Sequence, residues 1–225
     1  MKINLSKVYK YRFKNISRKS KSFVWNEIGK WILKETLHFR NGNKIKSILD
    51  PACGDGEFLN SFKNKNINLC GYDLREKSEN LIPEIKYINI EFQKVENEGK
   101  YDLIWVSNLL EHLASSDEIQ NYLYKCKKHL NKNGILVIMG PNIKYCFKDY
   151  WDFADHNLPL SHLSAAEHLI SSDFQILKIY NKFLPYSFNS YLPSNRILVY
   201  LYLRNKLAWK ILGKQFLIFC KNQDE

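Results

Sequence analysis

The chain has 225 residues, 45% of them apolar and 14% aromatic, which is enough to bury the core of one globular domain and argues against a disordered chain. No apolar run approaches the roughly 20 residues of a membrane span, and the N-terminus carries lysines and asparagines where a secretory signal would be apolar, so a soluble cytoplasmic protein is expected. The formal net charge of +11 points to an anionic partner, or to peripheral contact with the inner face of a membrane.

That charge sits at the ends. Eight lysines and arginines precede Glu27 with no acid among them, and eight more lie between Asp173 and Asp224, again with no acid. Residues 1–44 form a basic extension with a helix expected from Ser20 to Leu37. From Ile45 onward short apolar runs alternate with helical patterns, the mark of a parallel sheet covered by helices. Strands are expected at Ile45 to Asp50, Ile67 to Asp73, Ile85 to Ile90, Tyr101 to Ser107, Ile135 to Gly140, Phe174 to Phe183 and Phe216 to Cys220. Between them, helices are expected at Glu57 to Asn64, at Asp117 to Leu130, and at Ser164 to Ser171, the last capped by Ser161 or Ser164. Asn133-Gly134 reads as a helix stop followed by a turn. Pro141 to Leu160 is a long aromatic-rich connection, and residues 184–214 read as a short helical cap before the last strand and tail, 215–225. Residues 45–183 would be the cofactor-binding core of a single domain.

The five cysteines (Cys53, Cys70, Cys126, Cys146, Cys220) are odd in number and lack any Cys-x-x-Cys spacing, so no disulfide framework, zinc cage or other metal site is expected. The chemistry starts at Ile48-Leu49-Asp50-Pro51-Ala52-Cys53-Gly54-Asp55-Gly56-Glu57-Phe58-Leu59. A strand ending in Asp50, followed by Gly54 and Gly56 and an apolar helix start, makes a tight turn that lets backbone approach a ligand closely. The next strand ends in Asp73, about 20 residues on, where such folds bind ribose hydroxyls. A pyrophosphate cofactor such as NAD is the competitor. The absent third glycine and the acid at Asp50 count against it, because that carboxylate suits a cationic ligand.

These residues resemble motif I of class I methyltransferases that use S-adenosylmethionine, and the later motifs follow in order. The resemblance implies a Rossmann-like, seven-stranded, mostly parallel sheet with helices on both faces. It implies that Asp50, Cys53, Gly54 and Gly56 cradle the methionine part, that Asp73 holds the ribose diol, that Leu74 packs beside the adenine, and that Glu91 or Asn89 sits at the adenine edge. Ser107-Asn108-Leu109-Leu110-Glu111-His112 lacks the Pro-Pro-aromatic run of base-amine and glutamine methyltransferases, and is similar to enzymes acting on small molecules, sugars and lipid-like acceptors. Asn108 would lie beside the sulfonium. His112 would either shape the pocket or move a proton.

Tyr150-Trp151-Asp152-Phe153-Ala154-Asp155-His156 packs two carboxylates and an imidazole among aromatics and looks like an acceptor pocket. Its candidate base is His156, oriented by Asp155 or Asp152, with Tyr150, Trp151 and Asp152 as substrate contacts; the alternative is a lid core in which His156 is structural. Together with Val24-Trp25, Pro141-Asn142-Ile143, Phe183-Leu184-Pro185-Tyr186, Leu192-Pro193 and Gly213-Lys214-Gln215, the chain resembles a bacterial methyltransferase family associated with surface-polysaccharide and glycan synthesis. The family's glycine loop often reads Gly-Ala-Gly-Tyr-Cys-Glu-Phe, from which this one departs. The resemblance implies O-methylation of a sugar in a glycan or an activated, anionic glycan precursor. An RNA methyltransferase or a non-catalytic partner subunit are the alternatives; no appended RNA-binding module or base-amine motif supports the first.

Overall fold

The computed structural model describes residues 5–12, 14, 18–96, 99–186 and 196–223. In chain order the elements are α1 (Leu5–Arg12), α2 (Arg18–Phe39), β1 (Ser47–Asp50), α3 (Glu57–Asn60), β2 (Asn68–Asp73), β3 (Ile85–Asn89), β4 (Tyr101–Ser107), α4 (Ser116–Lys128), β5 (Leu130–Pro141), α5 (Ile143–Tyr150), α6 (His162–Ser171), β6 (Phe174–Tyr180), α7 (Arg196–Arg204), α8 (Lys206–Leu212) and β7 (Gln215–Asn222). The strands form one sheet in the order β3-β2-β1-β4-β5-β7-β6, parallel except for β7, which runs antiparallel to both its neighbours. This is the expected Rossmann-like architecture, with the order of strand addition reversing between β1 and β4, where such sheets open a crevice at their carboxyl ends.

Burial explains why these runs are strands. Six of the seven residues of β4 are buried, as a central parallel strand covered on both faces requires. Its side chains alternate between two cores. Leu103 and Trp105 join Val24, Ile28 and Ile32 of α2 with Phe58, Phe62 and Phe219 on one face. Ile104 and Val106 join Ile119, Tyr122, Leu123 and Cys126 of α4 on the other. The α4 set recurs at i, i+3, i+4 and i+7, the spacing of one helical face. The N-terminus of α4 is capped by the Ser115 hydroxyl, which accepts from the Glu118 N–H at 3.2 Å. In α6 both candidate serines act: Ser161 is the cap and Ser164 returns the bond to the Ser161 N–H.

The structure corrects several boundaries. The α4 helix stops at Lys128 rather than Leu130, and β5 begins at Leu130. Asn133-Gly134 is therefore no helix stop. Asn133 adopts φ 56° inside β5, where the register with β4 jumps from Tyr101↔Leu130 to Leu103↔Ile135, so the pair forms a bulge. Glu57 to Asn64 keeps only four helical residues, and the connection after β5 contains α5. The expected cap contains α7 and α8; its residues 187–195, including Leu192 and Pro193, lie outside the described residues.

One polar cluster pins α2 to the amino edge of the sheet. Arg40 Nη2 donates to Asp102 Oδ1 at 3.1 Å, and its Nη1 donates to the Asn133 carbonyl at 2.7 Å. Asp102 Oδ2 accepts from the Lys46 N–H at 2.7 Å and the Ser47 N–H at 3.2 Å, while Asn131 Nδ2 donates to Oδ1. Both charged partners are buried.

Candidate active site

The carboxyl ends of β1, β2 and β4 open into a cavity of about 1760 Å³. Its floor is the glycine loop. Gly54 and Gly56 adopt φ +56° and +74°, the left-handed region that L side chains disfavour, and Gly56 caps α3 in that conformation. A Cβ at Gly56 would lie 2.9 Å from Leu81 Cγ. Gly56→Val is therefore expected to cost about 2 kcal/mol of strain and crowding at the loop. Calorimetry should show at least a tenfold weaker affinity for S-adenosylmethionine with only a modest fall in melting temperature, and unchanged affinity would contradict this account of the loop.

Asp50 is buried at the end of β1, and its Oδ1 accepts from the Ala52 N–H at 3.2 Å. Burial pushes its carboxyl up to about 8, with Asp73 and Glu57 adding to the effect against the pull of the Ala52 amide. Cys53, also buried, donates its N–H to the Tyr72 carbonyl and so ties the loop to β2. Asp73 closes the same loop: Oδ2 accepts from the Gly54 N–H at 2.7 Å, and Oδ1 accepts from Arg75 N–H and Nε–H at 2.9 and 3.1 Å. Leu74, 64% exposed, and Glu91, paired with Lys94 at 3.0 Å, line the cavity beyond it. Asn89 is instead spent on the loop, donating to the Asp73 and Arg75 carbonyls. Asn108, in the left-handed region at φ 50°, lines the cavity and donates to Gln215 Oε1 at 3.2 Å, joining the end of β4 to the start of β7.

Glu111, His112, Asp155 and His156 line the same cavity as the glycine loop. His112 Nδ1 meets the Asp155 carbonyl at 2.6 Å, and its ring lies edge-on to His156 with centroids 5.0 Å apart. Asp155 Oδ1 pairs with Arg12 Nη2 at 2.5 Å, and the Arg12 guanidinium rests 4.4 Å over the Phe153 ring. Burial alone would raise the Asp155 carboxyl, but Arg12 and His112 hold it below the ordinary value. Burial, aided by His112, pushes the His156 imidazole down to about 4 against the opposing effect of Asp155, so its ring is neutral at physiological pH. Glu111 is almost fully buried, and burial raises its carboxyl.

Parts of the expected acceptor pocket are placed differently. Asp155 turns to Arg12 and His112, so its bonds position His112 rather than His156, and Asp152 is exposed on the loop. Tyr150 is fully buried, with its hydroxyl donating to the Leu158 carbonyl and accepting from the Leu160 N–H; it braces the loop. Trp151 is 54% exposed. None of Tyr150, Trp151 and Asp152 is among the cavity's lining residues, where Phe153, His156, Asn157 and Tyr186 stand instead. Sequence reasoning passed over Glu111 and Arg12 as site residues. Glu111 had a signal, being an acid beside His112 just beyond the β4 end; Arg12 reaches Asp155 across 143 residues and had none.

A methyltransferase-domain family model matches residues 24–177. The chain belongs to that family. The matched residues hold the glycine loop, Asp73, Asn108 and the Glu111 to His156 cluster, and the domain is a methyltransferase domain. The structure resembles an S-adenosylmethionine-dependent methyltransferase from Clostridium acetobutylicum at TM-score 0.64 and 13% identity, covering 97% of each chain. It also resembles the plantazolicin methyltransferase BpumL at TM-score 0.68 and 15% identity, covering 96% of this methyltransferase chain and 90% of the other. Among curated proteins it is similar to the ubiquinone biosynthesis O-methyltransferase of Rickettsia typhi, 25% identical over 119 residues, 49% of this chain and 47% of that protein. The Rickettsia prowazekii protein of the same name is 26% identical over 139 residues, 52% and 54% of the two chains. The chain thus spans about half the length of the curated relatives it matches. The five cysteines of this methyltransferase are free and buried, and no helix among the described residues is long and apolar enough to cross a membrane.

Proposed function

We propose that the protein transfers a methyl group from S-adenosylmethionine to a hydroxyl of a sugar, carried in a glycan or in an activated, anionic glycan precursor. The observation that carries the O-methyl part is the presence of two unlike groups in one cavity: the glycine loop with Asp50 and Asp73, and the Glu111, His112 and His156 cluster. S-adenosylmethionine supplies an electrophilic methyl on a sulfonium and carries a cationic amino group. The buried Asp50 carboxylate suits the positive charge, Asp73 suits ribose hydroxyls, and exposed Leu74 offers an apolar flank to the adenine. At the other end the chain's task is to hold a hydroxyl in line with the methyl group and to relieve it of its proton. A neutral His156 whose buried Nδ1 has no hydrogen-bond partner fits that second task, and Asn157 and Tyr186 offer polar contacts beside it.

The acceptor class is supported by the cavity's extent. Lys10, Arg12, Lys14 and Lys21 are among its lining residues; Arg12 and Lys21 pair with Asp155 and Glu57, and the exposed Lys10 and Lys14 offer positive charge to an anionic group. Leu198 and Leu201 of α7 and Leu212 of α8 line another and are also exposed, so an acceptor with a lipid tail, or the surface of a membrane, would meet apolar side chains there. The relatives named O-methyltransferases agree with oxygen as the methylated atom.

Mass spectrometry of cell-surface glycans with and without the gene should find one methyl group lost with it. Complementation with His156→Ala should fail to restore that methyl, with turnover down by about 10²–10⁴-fold, while calorimetry finds the variant's affinity for S-adenosylmethionine close to the parent's. Equal loss of affinity and turnover would defeat the role given to His156. An unchanged glycan profile, with salt-sensitive methylation of RNA in its place, would defeat the acceptor class.

A further inference from the structure

Glu111, His112 and His156 each bring a ligating atom to a point where all three lie within 4.8 Å of one another, at the wall of the cavity that the glycine loop also lines. Two of these residues carry a polar side-chain atom with nothing to bond. Glu111 Oε1 and His156 Nδ1 are buried side-chain atoms without a hydrogen-bond partner, and an orphaned buried polar atom is costly enough to need a cause. Glu111 Oε1 lies 3.8 Å from His112 Nε2. The other nitrogen of His112 is already held by the Asp155 carbonyl at 2.6 Å, which keeps a proton on Nδ1 and turns a lone pair on Nε2 toward Glu111. A metal-ligating histidine is held in this way, by a second bond that fixes tautomer and ring plane. Asp155 Oδ2, likewise buried and unpartnered, lies 3.7 Å from His112 Nδ1 and adds negative charge behind the cluster.

The geometry points to a binding site for one divalent transition-metal cation, held by Glu111, His112 and His156, with its open positions toward the acceptor. Two imidazoles and one carboxylate are the donor set of zinc, manganese, iron or cobalt rather than of magnesium or calcium, which prefer oxygen. Ligands bonded at about 2.1 Å stand roughly 3–3.5 Å apart, so the side chains need close by at most roughly 1.3–1.8 Å. Binding itself does not depend on the acceptor proposed above; the catalytic use of the ion does. A hydroxyl bound at an open position would give its proton to water under the cation's charge, and its oxygen would form the new bond to the methyl carbon as the bond from carbon to sulfur breaks, leaving S-adenosylhomocysteine. His156 would then act as a ligand and not as the base.

The test is titration of the chelator-treated full chain with Co²⁺, without cofactor or acceptor. One equivalent is expected to bind, with visible d–d absorption and displacement by Zn²⁺. Glu111→Gln and His156→Ala should each weaken Co²⁺ binding at least tenfold. Histidine NMR of the unmodified chain supplies a readout that needs no variant: the His112 and His156 imidazole signals should broaden on Co²⁺ addition while those of His38 and His162 persist. Absence of binding, binding that both variants retain, or broadening confined to other histidines would overturn the site. None of these outcomes depends on whether the acceptor is a sugar.

Discussion

Arg40→Ala is expected to lower the free energy of unfolding by about 3 kcal/mol, near the lower end for breaking a buried ion pair by removing one partner. The substitution leaves Asp102 ionised in the amino edge of the sheet with its backbone and Asn131 donors but without its countercharge, and it also frees the Asn133 carbonyl at the β5 bulge. For a chain of this length that loss corresponds to a fall in melting temperature of roughly 6–12 °C. Burial alone would raise the Asp102 carboxyl, but the Lys46 amide, Asn131 and Arg40 hold it below the ordinary value. The sign follows from that depression: the pair's stabilisation is present above the ordinary aspartate range and is lost as pH falls through the folded-state value. A double variant, Arg40→Met with Asp102→Asn, should recover part of the stability and lose part of this acid sensitivity. Denaturant melts at neutral and acid pH measure both effects, and a loss below about 1 kcal/mol in Arg40→Ala would show that the cluster is not a staple.

The second large effect concerns Asp50. With its carboxyl raised to about 8, the folded chain holds a proton there across the neutral range. Sign matters here too: a raised carboxyl favours folding below its unfolded value, and that contribution is lost as pH climbs toward 8, where ionisation in a buried site must be met. A cationic ligand reverses the balance by stabilising the carboxylate. Affinity for S-adenosylmethionine should therefore strengthen about tenfold per pH unit between pH 6 and 7.5, with close to one proton released per molecule bound at pH 6.5. Calorimetry in buffers of different ionisation enthalpy counts that proton directly. Asp50→Asn should bind about 10–100-fold more weakly at pH 7.5, as expected for losing a charged hydrogen bond, and should show no such slope. A parent affinity that is flat from pH 6 to 7.5 would remove Asp50 from contact with the ligand's charge.

The parts of the fold legible in the sequence were those where one local pattern decides the outcome. Tyr101–Ser107 is a near-unbroken apolar run and is β4 to the residue. Ser161 and Ser164 sit three apart before an apolar helix, and both take their places in a capping box. The missed start of β5 has a different character: Asn131, Lys132 and Asn133 look like a turn, and only the Arg40 and Asp102 cluster, assembled from three separate segments, makes an extended strand of them. The α5 helix was legible in principle, since Ile143, Cys146, Phe147 and Tyr150 follow helical spacing, but Cys146 breaks the regular dihedrals and Phe147 is 63% exposed. In the site, the glycine loop could be read from its own residues. The partners of Asp155 could not, because Arg12 and His112 reach it from 143 and 43 residues away.

The antiparallel β7 has a consequence for how the domain is assembled. It is the last strand in chain order, yet it lies between β5 and β6, pairing with Leu136 to Pro141 on one side, and Phe174 to Tyr180 meets the sheet only through it. During synthesis the five parallel strands can pair while β5 presents an open outer edge and β6 has no neighbour, a state in which unpaired backbone invites association with other chains. Closure waits for residues 215–222 to leave the ribosome and slide into that gap. Because Gln215, at the head of this strand, bonds Asn108 at the cavity wall, the lining of the cavity would be completed by the same late event that seals the sheet.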